Sequence, residues 1–261
     1  MLSRVRRIRL TQPALFVFGL ALRAAVLGLL CWKLAVHAWG HAGLCALTLA
    51  LFSLPALAEA LLPIRIPPLL EALVMAFAAA ANLCGEMLEL YLVIPGWDAA
   101  LHVIWGFLAA VLGYSLPGLL SGRTPEAREA AERALLALAF AALTGVVWEF
   151  FEYFMDTVFH TDMQKDTLLA VIRSVALNPE GANVPVTVVP TSVVVNGESW
   201  PGYLDVGLAD TMNDMLLNFV GSLPAVLLVF FDLRGGRRLP LIRRLAPYRW
   251  ERGRDHNEKG I

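Results

Sequence analysis

Long apolar runs dominate the chain and alternate with shorter polar segments. We place these runs at residues 13–36, 41–62, 67–94, 97–120, 134–158 and 205–231. A helix rises about 1.5 Å per residue, so about twenty apolar residues cross the roughly 30 Å hydrocarbon core of a bilayer. The pattern therefore predicts an all-α fold, a polytopic membrane helix bundle with about six transmembrane helices.

The longest polar stretch covers residues 160–204, between the fifth and sixth apolar runs. Apolar residues between Met163 and Leu177 recur at near-helical spacing, and Asn178-Pro179-Glu180-Gly181 is typical of a helix end. We therefore expect a short surface helix at the start of this insert.

Short β-branched runs follow in the same insert. They and the turn sequence after them are Val186–Val189, Ser192–Val195 and Asn196-Gly197. Such runs around turn residues favour a small hairpin. The insert is interpreted either as a loop that caps the bundle or as a lid that recognises a substrate.

Composition agrees with a membrane protein. The chain is 58% hydrophobic and only 16% charged, against about 45–50% apolar and about 25% charged residues in soluble domains. The three cysteines, Cys31, Cys45 and Cys84, all lie in apolar runs without paired spacing. These features exclude a disordered chain, a collagen and a disulfide-stabilised scaffold.

Basic residues are distributed unequally between the two sides of the predicted bundle. Of the 21 lysines and arginines, 17 lie before the first run, in the second and fourth connections, or after the sixth run. Short loops rich in lysine and arginine stay in the cytoplasm. We therefore expect a multi-pass protein of a bacterial inner membrane, with both termini cytoplasmic and the insert extracytoplasmic.

This topology gives a domain organisation of four parts. They are a basic cytoplasmic N-terminus (1–12), a six-helix transmembrane domain (13–231), an extracytoplasmic insert within it (160–204) and a basic cytoplasmic tail (232–261). The basic N-terminus also resembles the start of a secretory signal peptide. Arg23 and Lys33 interrupt the apolar segment after it, which favours a first span in which Arg23 faces protein or extends toward the surface.

Polar and ionisable residues within the last four runs recur at helical spacing. They are Asn82, Glu86 and Glu89 in the third run, Asp98 and His102 in the fourth, Glu149 and Glu152 in the fifth, and Asp210, Asp214 and Asn218 in the sixth. Residues three or four apart share one face of a helix. The topology places the acidic residues and the histidine of this set in the outer third of the membrane, so we expect them to converge on one site.

Convergence would bring several carboxylates into a partly dry pocket. Two unit charges about 4 Å apart repel by roughly 4 kcal/mol at an effective dielectric constant near 20. Bound protons or a divalent cation would compensate them. An oxygen-rich donor set with one imidazole favours Mg²⁺, Mn²⁺ or Ca²⁺ and also admits Zn²⁺.

The predicted metal ligands are the acidic and histidine residues with the most regular spacing. They are Asp98, His102, Glu149, Glu152, Asp210 and Asp214, with Glu86, Glu89 and Asn218 as additional candidates. His102 and Glu149 are the candidates for a catalytic general base. As alternatives, Asp98 could only cap its helix, and Asp210 and Asp214 could only place negative charge at the start of theirs, where it suits the helix dipole. The glycines of the last three runs could only permit close packing.

Three functions are compatible with such a site, so whether the chain is an enzyme stays open. The first is metal-dependent chemistry on a lipid-linked or phosphorylated substrate. The second is ion-coupled or proton-coupled transport by the same carboxylates. The third is an ion that only stabilises the bundle.

Several common active-site patterns are absent from the sequence, namely a glycine-rich phosphate loop, a Gly-x-Ser-x-Gly elbow and an HExxH pair. The basic tail lies next to a span, so its expected partners are the lipid bilayer and its anionic phospholipids, and no nucleic acid is expected.

Three motifs in order carry a family resemblance. They are Asp98-x3-His102-x3-Gly106, Trp148-Glu149-x2-Glu152 and Asp210-x3-Asp214-Met215-x5-Gly221. This pattern resembles the uncharacterised YjdF-type bacterial inner-membrane proteins over roughly residues 70–231, and more remotely VanZ-like membrane proteins. The resemblance implies a membrane bundle and a shared site, and it implies no activity. The long segment from Lys165 to Tyr203 departs from the family pattern and puts a shared substrate in doubt.

Overall fold

Helices make up most of the protein. The computed structural model describes residues 12–191, 193–236 and 239–250. Within these residues, six helices are long and apolar enough to cross a membrane: Pro13–Ala35, Trp39–Leu61, Pro68–Met87, Trp97–Ser121, Ala127–Phe159 and Leu208–Arg234. The predicted bundle of about six spans is confirmed. The ends of the chain before residue 12 and after residue 250, which carry much of the predicted basic charge, lie outside the described residues.

The helices are numbered in chain order. They are α1 (Pro13–Ala35), α2 (Trp39–Leu61), α3 (Pro68–Ala79) with a π-helical continuation (Ala80–Met87), α4 (Leu90–Val93), α5 (Trp97–Ser121), α6 (Ala130–Phe159), α7 (Leu208–Arg234) and α8 (Pro240–Leu245). A single 3₁₀ turn, Ala127–Glu129, precedes α6. The short strands are β1 (Ile64–Arg65), β2 (Thr167–Leu169), β3 (Ile172–Ser174), β4 (Val186–Val188), β5 (Val193–Val195), β6 (Glu198–Trp200), β7 (Tyr203–Asp205) and β8 (Tyr248–Arg249).

Proline and glycine set several helix ends. Pro13 and Pro68 stand in the first turns of α1 and α3, where a missing backbone N–H costs nothing. Helix α5 lies between Gly96 and Gly122, which have φ angles of 79° and 71°. Glycine adopts this left-handed conformation without the steric cost that a side chain imposes.

The third span changes helix type along its length. From Ala80 to Met87 it is π-helical, and Glu89 follows with a φ angle of 58°. The π-helix ends at Met87, so Glu89 lies beyond it. The expectation that Asn82, Glu86 and Glu89 share one helical face is therefore wrong for Glu89. Gly85 has no side chain, which leaves room for the ring of Tyr91.

The chain divides into two compact units. The first comprises residues 1–144 and 217–261. Its apolar interior contains two clusters, one around Val26, Phe52 and Met75 from the first three helices and one around Val111 and Val229. Burial of these side chains stabilises the unit because apolar surface is removed from contact with the solvent or the lipid.

A partly buried ion pair connects the first three helices. Arg23 on α1 donates to the carbonyl oxygen of Phe52 at 2.8 Å and to Glu71 Oε1 at 3.2 Å. Arg23 thus faces protein, as predicted. Glu71 and Glu59 would be solvated helix ends by sequence position, but Glu71 is buried, and Glu59 accepts a hydrogen bond from the N–H of Ile66.

Helices α5 and α7 approach each other closely within the first unit. A Cβ atom on Gly106 would overlap the carbonyl oxygen of Asn218, and a Cβ atom on Gly221 would overlap that of Val103. Gly113 is similarly close to Ala137 and Phe140 of α6. These glycines permit close helix packing, which confirms the structural alternative for them.

The chain after α7 returns to the first unit. Ile242 and Leu245 of α8 are buried in the cluster around Val229. Strand β8 pairs with β1 in antiparallel register, with Ile64 opposite Arg249. The apolar side chains of α8 therefore contact protein.

The second unit, residues 145–216, contains the end of α6, six strands and the start of α7. Its strands form three antiparallel pairs, β2 with β7, β3 with β4, and β5 with β6. The helix expected between Met163 and Leu177 is wrong, because β2 and β3 occupy that segment. Partner strands distant in sequence supply its backbone hydrogen bonds, which overrides the local periodicity.

The hairpin in this unit differs in its strands from the sequence prediction. Its turn is Asn196-Gly197, and it pairs Val193 with Trp200. Both turn residues have positive φ angles, which is typical of a two-residue hairpin turn. Val186–Val188 instead pairs with Ile172–Ser174.

Candidate metal centre

Asp98 and His102 lie one turn apart at the start of α5. Gly96 ends the preceding turn, so Asp98 is in the first helical turn, where its negative charge also suits the helix dipole. The Nε2 atom of His102 and the Oδ1 atom of Asp98 are 3.7 Å apart. His102 is buried and Asp98 is half-buried. The two side chains present an imidazole and a carboxylate side by side.

Asp214 and Asn218 are also one turn apart, on α7, and both are buried. The Asn218 Nδ2 atom donates to the carbonyl oxygen of Ala141 at 2.7 Å. Within the described ranges, the Asn218 Oδ1 atom has no hydrogen-bond partner. A buried acceptor of this kind is expensive to leave unsatisfied, and it suits a bound water molecule.

Two of the predicted ligands, Asp98 and His102, lie together in the first unit, with Oδ1 and Nε2 3.7 Å apart. Two ligands that are each about 2.1 Å from one ion lie roughly 3–4 Å apart. The separation of this pair therefore suits a shared ion. Asp214 belongs to the second unit, and its role as a ligand stays a prediction.

Glu149 and Glu152 lie three residues apart on α6, and both are buried. The Trp148 Nε1 atom donates to Glu152 Oε1 at 2.8 Å. This hydrogen bond orients the Glu152 carboxylate along its own helix. The roles of Glu149 and Glu152 as metal ligands stay predictions.

Asp210 holds the start of the insert. Its Oδ2 atom accepts a hydrogen bond of 2.7 Å from the backbone N–H of Lys165. Asp156 does the same for the chain after α6, because it accepts hydrogen bonds from the N–H groups of Met163 and Gln164. Sequence reasoning did not foresee these roles, since a backbone partner leaves no signal in residue spacing.

The two additional glutamates of the third span are exposed. Glu86 and Glu89 both have exposed side chains, and Glu89 lies beyond the end of the π-helix. Their position offers no buried carboxylate to a metal ion. Asn218, the remaining additional candidate, is the buried member of the set.

One aspartate of the insert, Asp166, has a shifted pKa. The pKa of Asp166 is raised, first because nearby chain removes part of its hydration and then because Asp162 and Asp205 repel its charge. Lys165 opposes this shift. Asp166 therefore favours its neutral form more than a free aspartate does.

The sequence was compared with known families and proteins. The sequence model of a family described as "Predicted membrane protein (DUF2238)" matches residues 14–235. The match is consistent with the YjdF-type resemblance, and the remote likeness to VanZ-like proteins is not shown. The search of curated proteins and the search of solved structures each returned no match.

Proposed function

The chain belongs to the DUF2238 family of predicted membrane proteins, and from this premise we propose that it binds a divalent cation through Asp98, His102 and Asp214. One observation supports the proposal most directly, namely the 3.7 Å separation between the His102 imidazole and the Asp98 carboxylate, one turn apart on α5. Ionisable groups are costly within membrane-spanning helices, and they are usually found there for a function. A cation would stabilise the two carboxylates together.

The donor set limits the choice of metal. Imidazole is a good ligand for Zn²⁺, and carboxylates are good ligands for Mg²⁺, Ca²⁺ and Mn²⁺. Mn²⁺ and Zn²⁺ suit a set that contains both donors better than Ca²⁺, which takes six to eight oxygen ligands. We therefore place Mn²⁺ and Zn²⁺ before Mg²⁺ and Ca²⁺ for this group.

Asn218 would add a polar group to the proposed site. It lies one helical turn from Asp214, and its Oδ1 atom has no hydrogen-bond partner in the described part of the chain. A water molecule held by the cation could donate to this oxygen. Asn218 would then position the water without contacting the metal.

Three protein ligands leave coordination positions open, which is typical of catalytic metal sites. A cation there would lower the pKa of a bound water or polarise a phosphoryl oxygen. We propose a lipid-linked phosphate as the substrate because the site belongs to membrane-spanning helices. Glu149, buried on α6, would act as the general base.

Metal analysis of the purified protein tests the ligand set. We expect one tightly bound divalent cation per wild-type chain and a loss of at least tenfold in occupancy in Asp214→Asn and His102→Gln. Asp210→Asn is the matched control, because it makes the same chemical change one turn away on α7. The control should retain the metal, since Asp210 binds the backbone of Lys165.

Two results would contradict the ligand set. One is an equal metal content in wild type, Asp214→Asn and His102→Gln. The other is a loss in Asp210→Asn as large as the loss in Asp214→Asn. Thermal unfolding of each variant shows whether a change in metal content follows only from misfolding.

Function is tested separately from metal binding. Release of phosphate from phosphorylated lipids, abolished in Glu149→Gln with metal retained, would support catalysis. Cation flux into liposomes that depends on Asp214 would support transport instead. If the protein binds metal but shows neither phosphate release nor cation flux, and chelation lowers its melting temperature, the ion has a structural role.

A further inference from the structure

Arginines at one end of the bundle divide into two groups that differ in their partners. We propose that the second group, Arg234, Arg243 and Arg244, here called the α8 arginine surface, binds the headgroup phosphate of an anionic phospholipid. The proposal is independent of the metal centre.

Each arginine of the first group has a carboxylate partner in the protein. Arg65 lies 3.6 Å from Glu59, Arg128 lies 2.9 Å from Glu126, and Arg133 lies 3.0 Å from Glu129. Arg123 lies within 4 Å of Glu126 and Glu129. These glutamates compete with an external anion for the guanidinium groups.

The α8 arginine surface differs from the first group in its described contacts. Arg234, Arg243 and Arg244 are all exposed. Between residues 12 and 250, the residues described by the structure provide no ion pair to any of the three. Within that part of the chain, three exposed guanidinium groups can therefore meet an anion.

Packing of α8 determines which way its arginines point. Ile242 and Leu245 are buried in the core of the first unit. Arg243 and Arg244 lie between them in sequence, on the exposed side of the helix. The apolar side of α8 is thus occupied by protein, which leaves the cationic side for an external partner.

The position next to a span favours a lipid over a soluble anion. Arg234 is the last residue of the sixth membrane-spanning helix, and its Cζ atom lies 5.7 Å from the ring centroid of Phe230. Lipid headgroup phosphates lie at the ends of such helices. The planar guanidinium group binds phosphate oxygens with two parallel hydrogen bonds, and anionic lipid attracts basic residues beside a span.

Native mass spectrometry of the full chain with added phosphatidylglycerol tests the proposal, with phosphatidylcholine as the neutral comparison. We expect wild type to retain phosphatidylglycerol in preference, and Arg243→Gln/Arg244→Gln to bind it about thirtyfold more weakly, as two cations near an anionic surface predict. Arg123→Gln/Arg128→Gln is the matched control, since it removes two arginines that have glutamate partners.

The variants distinguish lipid binding at the α8 arginine surface from a general effect of positive charge. An unchanged affinity in Arg243→Gln/Arg244→Gln, or an equal loss in the Arg123→Gln/Arg128→Gln control, would overturn the proposal. Tighter binding of a duplex DNA oligonucleotide than of phosphatidylglycerol would overturn it too. Arg243→Lys/Arg244→Lys retains the charge, so it should keep most of the binding and show that the loss in the glutamine variant is not caused by misfolding.

Discussion

Individual polar residues in the spans serve two distinct purposes. Arg23 and Glu71 pair inside the first unit, and Arg23 also binds a backbone carbonyl oxygen of α2. Asp156 and Asp210 instead bind backbone N–H groups at the ends of helices. In this chain, a carboxylate in an apolar run can therefore make a structural contact and need not be a metal ligand.

Removal of one partner of the Arg23–Glu71 pair should destabilise the protein. We expect Glu71→Ala to lower the free energy of unfolding by about 2–3 kcal/mol, because it leaves a guanidinium group without its carboxylate among apolar helices. The double variant Arg23→Met/Glu71→Leu should recover most of this loss. Thermal unfolding in detergent measures both.

The double variant distinguishes the effect of an unpaired charge on stability from the effect of lost packing. If it is as unstable as Glu71→Ala, the loss comes from packing, and the explanation by an unpaired charge is wrong. Glu132→Ala, on an exposed carboxylate of α6, shows the effect of a surface change for comparison.

Helices in this protein are positioned by small residues at their contacts. Gly106 and Gly221 bring the backbones of α5 and α7 together. His102 lies one turn before Gly106 on α5, and Gly106 meets the backbone of Asn218 on α7. Small residues thus allow these polar positions of two helices to lie close together.

Adding a methyl group at this contact should separate the two helices. We expect Gly106→Ala to destabilise the protein by about 1–3 kcal/mol, because the new Cβ atom would overlap the backbone of Asn218. Gly28→Ala on α1 is the control, since nothing lies within 4 Å of its added Cβ. It should be neutral or slightly stabilising, because alanine has the higher helix propensity.

Melting temperatures of the two variants in the same detergent measure the difference. Equal effects of Gly106→Ala and Gly28→Ala would show that helix propensity, and not the contact, governs both. Metal content of Gly106→Ala would show in addition whether helix spacing affects the proposed site.

The molecule as a whole is a membrane protein with six candidate spans. Its orientation is a prediction from the positions of lysine and arginine. The connection before α6 contains Arg123 and Arg128, whereas the insert between α6 and α7 contains only Lys165 and Arg173 as cations.

Cysteine labelling tests this orientation. In a background where the three native cysteines are alanine, Thr187→Cys and Ser121→Cys place single thiols at exposed positions in the insert and at the end of α5. We expect an impermeant maleimide to label Thr187→Cys in intact spheroplasts and Ser121→Cys only after lysis. The reverse pattern would contradict the predicted topology.

The sequence by itself determined the number, length and approximate bounds of the spans, because each needs only a sufficient run of apolar residues. It also indicated Asp98, His102 and Asp214, because spacing along a helix is a local property. It could not indicate the π-helix at Ala80–Met87 or the strand pairs of the insert.

Only the tertiary structure decided which polar groups have partners elsewhere in the chain. The carboxylate of Glu71 meets Arg23 across 48 positions of sequence, and the insert strands β2 and β7 pair across more than thirty. Such contacts depend on how whole helices and strands pack. No local pattern of hydrophobic and polar residues encodes that packing, because the free energy that selects it is shared among many distant side chains.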